Sequence, residues 1–164
     1  MKKLLLAGLL FVLSAHADAD VLAGRVVAVA DGDTITVRDA AHKDYKVRLS
    51  GIDAPEKAQP FGAATKKSLS GLVYGKEVTV ELIRRDYYPH VVGKVLVHGL
   101  DVNLVQIERG MAWFVRHYQN EHPTEDSEKY MQAQNVAENK RIGLWADKNP
   151  TPPWEFRKQG KLNP

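Results

Sequence analysis

Between Tyr45 and Ser50 the chain alternates, with Tyr45, Val47 and Leu49 on one side and Lys46, Arg48 and Ser50 on the other. A period of two marks a half-buried strand and puts the Arg48 side chain on its polar face. Val, Ile and Thr dominate from Val21 to Val37, interrupted by Ala30-Asp31-Gly32-Asp33. The Asp-Gly pair is a turn signal, so two strands joined by a hairpin-type turn are predicted there. Glu77 to Ile83 and Val91 to Val97 read as a fourth and a fifth strand. Three helices are predicted: one opening at Pro60 and running to about Leu72, a short one from Asp101 to Glu108 closed by Gly110, and one from about Thr124 to Gly143. In the last, Glu125 and Asp126 fall in the first turn and Lys140 and Arg141 in the final turn, the order the helix dipole favours.

Five short strands with helices between and after them predict an α+β fold: a small five-stranded OB-fold barrel packed with about three α-helices. Trp113, Phe114 and Trp145 are read as core. Residues 20–148 make the single domain. The stretch 149–164, with Pro150, Pro152, Pro153 and Pro164, is expected to be an extended strap or a disordered end.

The first residues follow another pattern. Lys2 and Lys3 precede an apolar run from Leu4 to Leu13, and Ala15-His16-Ala17 then offers a small-x-small cleavage site. Residues 1–19 are therefore expected to be a signal peptide, cut after Ala17 or after Ala19. About ten apolar residues are too few to span a bilayer. A secreted or periplasmic monomer with no stable membrane insertion after cleavage is the expected product.

Removing Lys2 and Lys3 changes the charge picture. The whole chain carries +3, whereas the product cut after Ala17 keeps 21 basic against 20 acidic side chains. Affinity for a polyanion must then come from local clusters such as Lys66-Lys67 and Arg84-Arg85. Absence of cysteine excludes disulfides, a thiolate nucleophile and a cysteine zinc site. His42, His98, His117 and His122 lack zinc-site spacing, and no Gly-x-Ser-x-Gly occurs.

Three short pieces carry the candidate chemistry: Asp31-Gly32-Asp33-Thr34, Val47-Arg48-Leu49 and Asp53-Ala54-Pro55-Glu56. Asp33 follows a tight turn and Asp53 follows a strand, both where side chains leave a sheet. Two such carboxylates, a backbone carbonyl and waters make an oxygen-only site that calcium accepts, because calcium tolerates irregular coordination. The planar fork of Arg48 can make two parallel bonds to phosphate oxygens, and Glu56 could hold an attacking water. The plainer alternatives are that the aspartates only stabilise a turn and that Arg48 forms a surface salt bridge to Asp53 or Glu56.

Together these pieces resemble the thermonuclease (staphylococcal nuclease-like) family. The resemblance runs from about Val21 to Gly-Leu-Trp-Ala-Asp and the Pro-Pro-Trp-Glu tail. It implies the OB-type barrel and calcium-dependent hydrolysis of phosphodiester bonds in DNA, with RNA as an open second substrate and magnesium as the alternative ion. It implies that Asp33, Asp53 and the carbonyl of Ala54 bind the metal, that Glu56 is general base or water-positioner, and that Arg48 clamps the phosphate. Tyr88 and Tyr118 match tyrosines of the nucleotide pocket, Tyr87 and Arg85 are further substrate-binding candidates, and Arg116 stands where some members have another tyrosine.

The chain departs from the pattern at Arg85-Asp86-Tyr87-Tyr88-Pro89-His90. Family members carry Asp-(Lys/Arg)-Tyr-Gly-Arg here, and aligning Asp86 and Tyr88 puts His90 where the second phosphate-clamping arginine belongs. Histidine is only partly cationic near neutral pH, whereas arginine is always charged. Pro89 also fixes a backbone angle that glycine leaves free, so Arg84 or Arg85 could take the vacant role. The reading at this stage is a nuclease with Arg48, Glu56 and His90 as catalytic candidates. Its rival is a nucleic-acid-binding OB-fold module with weakened catalysis.

Overall fold

The computed structural model describes residues 20–85, 89–116 and 124–162, without the side chains of Arg85, Lys161 and Leu162. In chain order the elements are β1 (Val21–Val29), β2 (Thr34–Arg38), β3 (Asp44–Leu49), β4 (Ile52–Asp53), α1 (Gly62–Val73), β5 (Glu77–Arg85), β6 (His90–Val97), β7 (Leu100–Asp101), α2 (Val102–Glu108), β8 (Trp113–Phe114), α3 (Thr124–Asn139) and α4 (Pro153–Leu162). A 3-10 turn spans Gly143–Ala146.

The barrel closes because β3 has two neighbours. It pairs antiparallel with β2, Ile35 opposite Val47, and parallel with β6, Val47 opposite Val91 and Arg48 opposite Val92. β1 pairs antiparallel with both β2 and β5, and β5 with β6, which completes the ring of five long strands. Alternation puts Ile35, Val37, Val47, Leu49, Val78, Val80, Val91 and Val95 inside, each no more than 4% exposed. Arg48 and Lys46 project outward, as the period-two pattern predicts.

Helices α1, α2 and α3 pack over the barrel and hold its functional end. Asn103 of α2 is fully buried; its side chain accepts from Val95 N (3.1 Å) and donates to Ser50 O (2.9 Å), tying the β3–β4 turn to β6. Lys94 of β6 bonds Asp126 of α3 at 2.8 Å, and the Tyr130 hydroxyl donates to Asp101 Oδ2 at 2.9 Å.

The β1–β2 turn that carries Asp33 is fixed equally firmly. Gln106 Nε2 donates to Gly32 O at 2.8 Å. A Cβ at Gly32 would lie 2.1 Å from Thr65 Oγ1 and 2.7 Å from Ala54 Cβ, so only glycine lets the turn approach α1 this closely. Gly32→Ala should therefore lower stability by about 1–3 kcal/mol, the usual cost of overpacking, read as an earlier denaturation midpoint at unchanged m-value.

Three sequence expectations are corrected. The helix beginning at Thr124 ends at Asn139, so Lys140 and Arg141 follow it rather than fill its last turn. Arg141 and Gly143 have positive φ (52° and 59°), which breaks helical continuity, and Gly143 sits against the carbonyls of Arg109 and Gly110. The first helix begins at Gly62, not Pro60, because Phe61 is left-handed with φ 68°. Within the proline-rich stretch, Pro153–Leu162 form a helix, α4, rather than an extended strap or a disordered end. Pro153 stands at the first helical position, where its missing N–H costs nothing and its fixed φ suits the helix.

Candidate active site

Asp33 and Asp53 meet although the chain between them makes two strands. Asp33 is 4% exposed and Asp53 5%. The Asp33 carboxylate accepts from the Thr34 hydroxyl (2.9 Å) and from Ala54 N (2.8 Å), which binds the β1–β2 turn to the segment after β4. Asp53 is set by the pairing of β4 with β8, where it lies opposite Trp113.

Arg48 reaches between the two. Its Nη2 lies 3.0 Å from Asp53 Oδ1 and 3.5 Å from Asp33 Oδ2, while half of its side chain (48%) faces solvent. Glu56 sits at the rim of the same cavity, 39% exposed. Its backbone is held by the loop leading to α1: Glu56 N donates to Gln59 Oε1 (3.1 Å), and Gln59 N donates back to Glu56 O (2.9 Å). The cavity, about 420 Å³, is lined by Arg48, Asp53, Glu56, Arg84 and Arg157, among others.

Arg157 is the residue that sequence reasoning missed. It comes from α4, 104 positions beyond Asp53. Nη2 bonds Asp53 Oδ2 at 2.7 Å; Nη1 bonds Glu56 Oε1 at 2.7 Å and Asp53 Oδ1 at 3.2 Å. The available signal was a helix start, Pro152-Pro153 followed by Glu155 in the first turn.

Burial dominates the electrostatics of Asp33. Loss of hydration raises its pKa to about 7; Arg48 and the Ala54 N–H pull it down, and Asp31 and Asp53 push it up. Burial works against the charge on Arg48, yet Asp33 and Asp53 outweigh it and raise its pKa further, with Arg157 opposing. Hydrogen bonding to Asp53 is the largest reason that the Arg157 pKa is raised.

His90 lies in an adjoining cavity, opposite Lys46 of β3. It opens β6, exposed, and lines a second cavity of about 290 Å³ with Asp31, Thr34, Lys46, Arg48 and Arg84. Arg48 and Arg84 belong to both cavities; of the two, Asp53 and Glu56 line the larger. Tyr87, Tyr88 and Tyr118 lie outside the described residues, as does the Arg85 side chain. Phe114 and Trp145 are buried, and Trp113 is half-buried with its ring edge on Trp145 at a centroid distance of 4.3 Å.

A closed five-stranded barrel with paired acidic and guanidinium groups at one end is compatible with a nuclease-type site. The profile of the staphylococcal nuclease homologue family matches residues 46–147. A protein of Haemophilus influenzae described as an uncharacterized endonuclease is 44% identical over 139 residues, covering 85% of this chain and 75% of its own. An Escherichia coli protein of the same description is 42% identical over 135 residues, 82% of this chain and 84% of its own. A micrococcal nuclease of Shigella flexneri is 34% identical over 164 residues, 94% of this chain and 91% of its own. The chain belongs to the staphylococcal nuclease homologue family and is a hydrolytic nuclease.

Proposed function

We propose that this nuclease cuts phosphodiester bonds of DNA, and RNA as a second substrate, at a calcium-dependent site formed by Asp33, Asp53 and the Ala54 carbonyl. The observation that carries the reading is the pair of almost fully buried carboxylates, each within 3.5 Å of a single Arg48 nitrogen. Buried carboxylates without enough positive charge are costly, as the raised Asp33 pKa shows. An oxygen-only donor set of this kind suits a hard cation, and calcium tolerates irregular coordination better than magnesium does.

A divalent ion held there supplies positive charge against the phosphate. Arg48 places its fork on the non-bridging oxygens, where charge grows as water attacks phosphorus and the phosphorus–oxygen ester bond breaks. Glu56, at the rim and partly exposed, positions that water and takes its proton. The leaving oxygen receives a proton from solvent or from a neighbouring donor.

The separation of His90 from Asp53 and Glu56 favours a second reading, a nucleic-acid-binding module with weakened catalysis. One assay separates the two: plasmid, single-stranded DNA and RNA incubated with residues 20–164 in calcium, in magnesium and in chelator. Cleavage in calcium that stops in chelator supports the nuclease site; binding without cleavage supports the module. Export is also part of the proposal, motivated by the pattern of residues 1–19. Cell fractionation that finds the full-length chain in the cytoplasm would remove it.

A further inference from the structure

We propose that Arg157, carried by α4, is the second guanidinium that contacts the scissile phosphate, the task that the resemblance gave to the position of His90. The inference rests on the nuclease reading and extends it to a residue beyond the 46–147 stretch that the family profile matches.

Two guanidinium groups from distant parts of the chain converge on one oxygen. Arg48 Nη2 lies 3.0 Å and Arg157 Nη1 3.2 Å from Asp53 Oδ1. Like charges this close repel, and the Arg157 charge does oppose that of Arg48. Asp53 is the anion that holds the pair together here, and the two non-bridging oxygens of a phosphodiester would likewise offer one acceptor to each fork. Arg157 also lines the 420 Å³ cavity that holds Asp53 and Glu56, which His90 does not.

Arg157 is not the sole anchor of α4. Gln59 Nε2 donates to Thr151 O at 2.5 Å, Pro153 is buried, and Trp154 sets its ring edge on Trp113 at a centroid distance of 5.7 Å. The side chain, 41% exposed, is thus carried by an anchored helix and can exchange partners. A guanidinium has five N–H donors, more than its three bonds to Asp53 and Glu56 use. An ion held by Asp53 would compete with Arg157 for the same lone pairs and would leave Arg157 more donors for a ligand in the cavity. Beyond Arg157 lies a space of about 510 Å³ bordered by Trp113, Arg116 and Trp154, with room for the flanking nucleotide.

The test compares wild type, Arg157→Gln and Arg157→Lys in three measurements. These are kcat/KM on single-stranded DNA in calcium, calorimetric affinity for a nucleoside 3′,5′-bisphosphate in calcium, and calcium affinity without nucleotide. The bisphosphate carries phosphates but no diester to cut. Arg157→Gln is expected to lower kcat/KM about 100- to 1000-fold, the usual loss for one removed electrostatic donor, and to weaken bisphosphate binding about tenfold or more. Calcium affinity should stay level or tighten, and Arg157→Lys should recover part of the bisphosphate affinity. Unchanged rate and bisphosphate affinity with tighter calcium binding would make Arg157 only a contact of the metal-free protein and overturn the inference. So would weaker calcium binding that alone accounts for the lost rate. If Arg157→Gln lowers the thermal midpoint, Arg157→Lys, which keeps the ion pairs, decides. A wild type that neither cleaves nor binds the bisphosphate defeats the nuclease site itself; a wild type that cleaves no better than a fully folded Arg157→Gln defeats only this inference.

Discussion

Asp33→Asn is expected to abolish cleavage and, above pH 7, to make the metal-free protein more stable than wild type. Burial raises the Asp33 pKa from 3.8 to about 7, so between those values the folded state holds a proton that the unfolded chain releases. Stability contributed by Asp33 is therefore present at low pH and falls as pH rises toward 7. Asparagine has no charge to bury and lacks that slope. Its carbonyl can still accept from Ala54 N, and its amide can donate to the Thr34 hydroxyl, so both present contacts survive. The shift, in which the Arg48 attraction is already included, bounds the gain at about 4 kcal/mol. Thermal midpoints from pH 4 to 9 in chelator check the sign: the curves should lie close together at low pH and separate toward high pH, with the variant on top. A variant less stable than wild type at pH 8 would show that Asp33 stabilises the fold as a charged group.

The second large effect separates Arg48 from Glu56. Arg48→Lys should lower kcat/KM about 100- to 1000-fold, with losses in both kcat and nucleotide affinity, because a point charge cannot reproduce a bidentate fork. It also leaves Asp53 and Asp33 with a weaker partner, so some stability should go with it. Glu56→Gln should reduce kcat by a comparable factor while leaving bisphosphate affinity nearly intact, since a water-positioning carboxylate acts chiefly in the transition state. Single-turnover rates paired with calorimetry distinguish these cases. Near-normal turnover in Arg48→Lys would require withdrawing the phosphate-clamp assignment.

The barrel was legible because its information is local. Alternation from Tyr45 to Ser50 reports which face is wet, and the Asp-Gly turn reports where β1 reverses into β2. The grouping of Asp33, Arg48, Asp53 and Glu56 could likewise be read from motifs, since strand ends and one tight turn deliver all four to the same end of the barrel. What escaped was helix α4 and the arginine on it. Pro150, Pro152 and Pro153 suggest an extended chain, yet a proline at the first helical position is compatible with a helix, and long-range contacts such as Trp154 on Trp113 and Gln59 on Thr151 dock it. The contact between Asp53 and Arg157 is a product of that docking, and no local pattern encodes it. The pairing of β6 with β3 sets His90 opposite Lys46, in a smaller cavity that shares Arg48 and Arg84 with the larger one.

The central claim is that Asp33 and Asp53 together hold a divalent cation beside Arg48. Calorimetric titration of calcium into wild type, Asp33→Asn and Asp53→Asn, without nucleotide and at pH 8, tests it most directly. One calcium per chain in wild type, with affinity lost in both variants while their far-ultraviolet circular dichroism matches wild type, is the predicted result. Equal calcium affinity in all three proteins, or full cleavage of DNA by wild type in excess chelator, would contradict it.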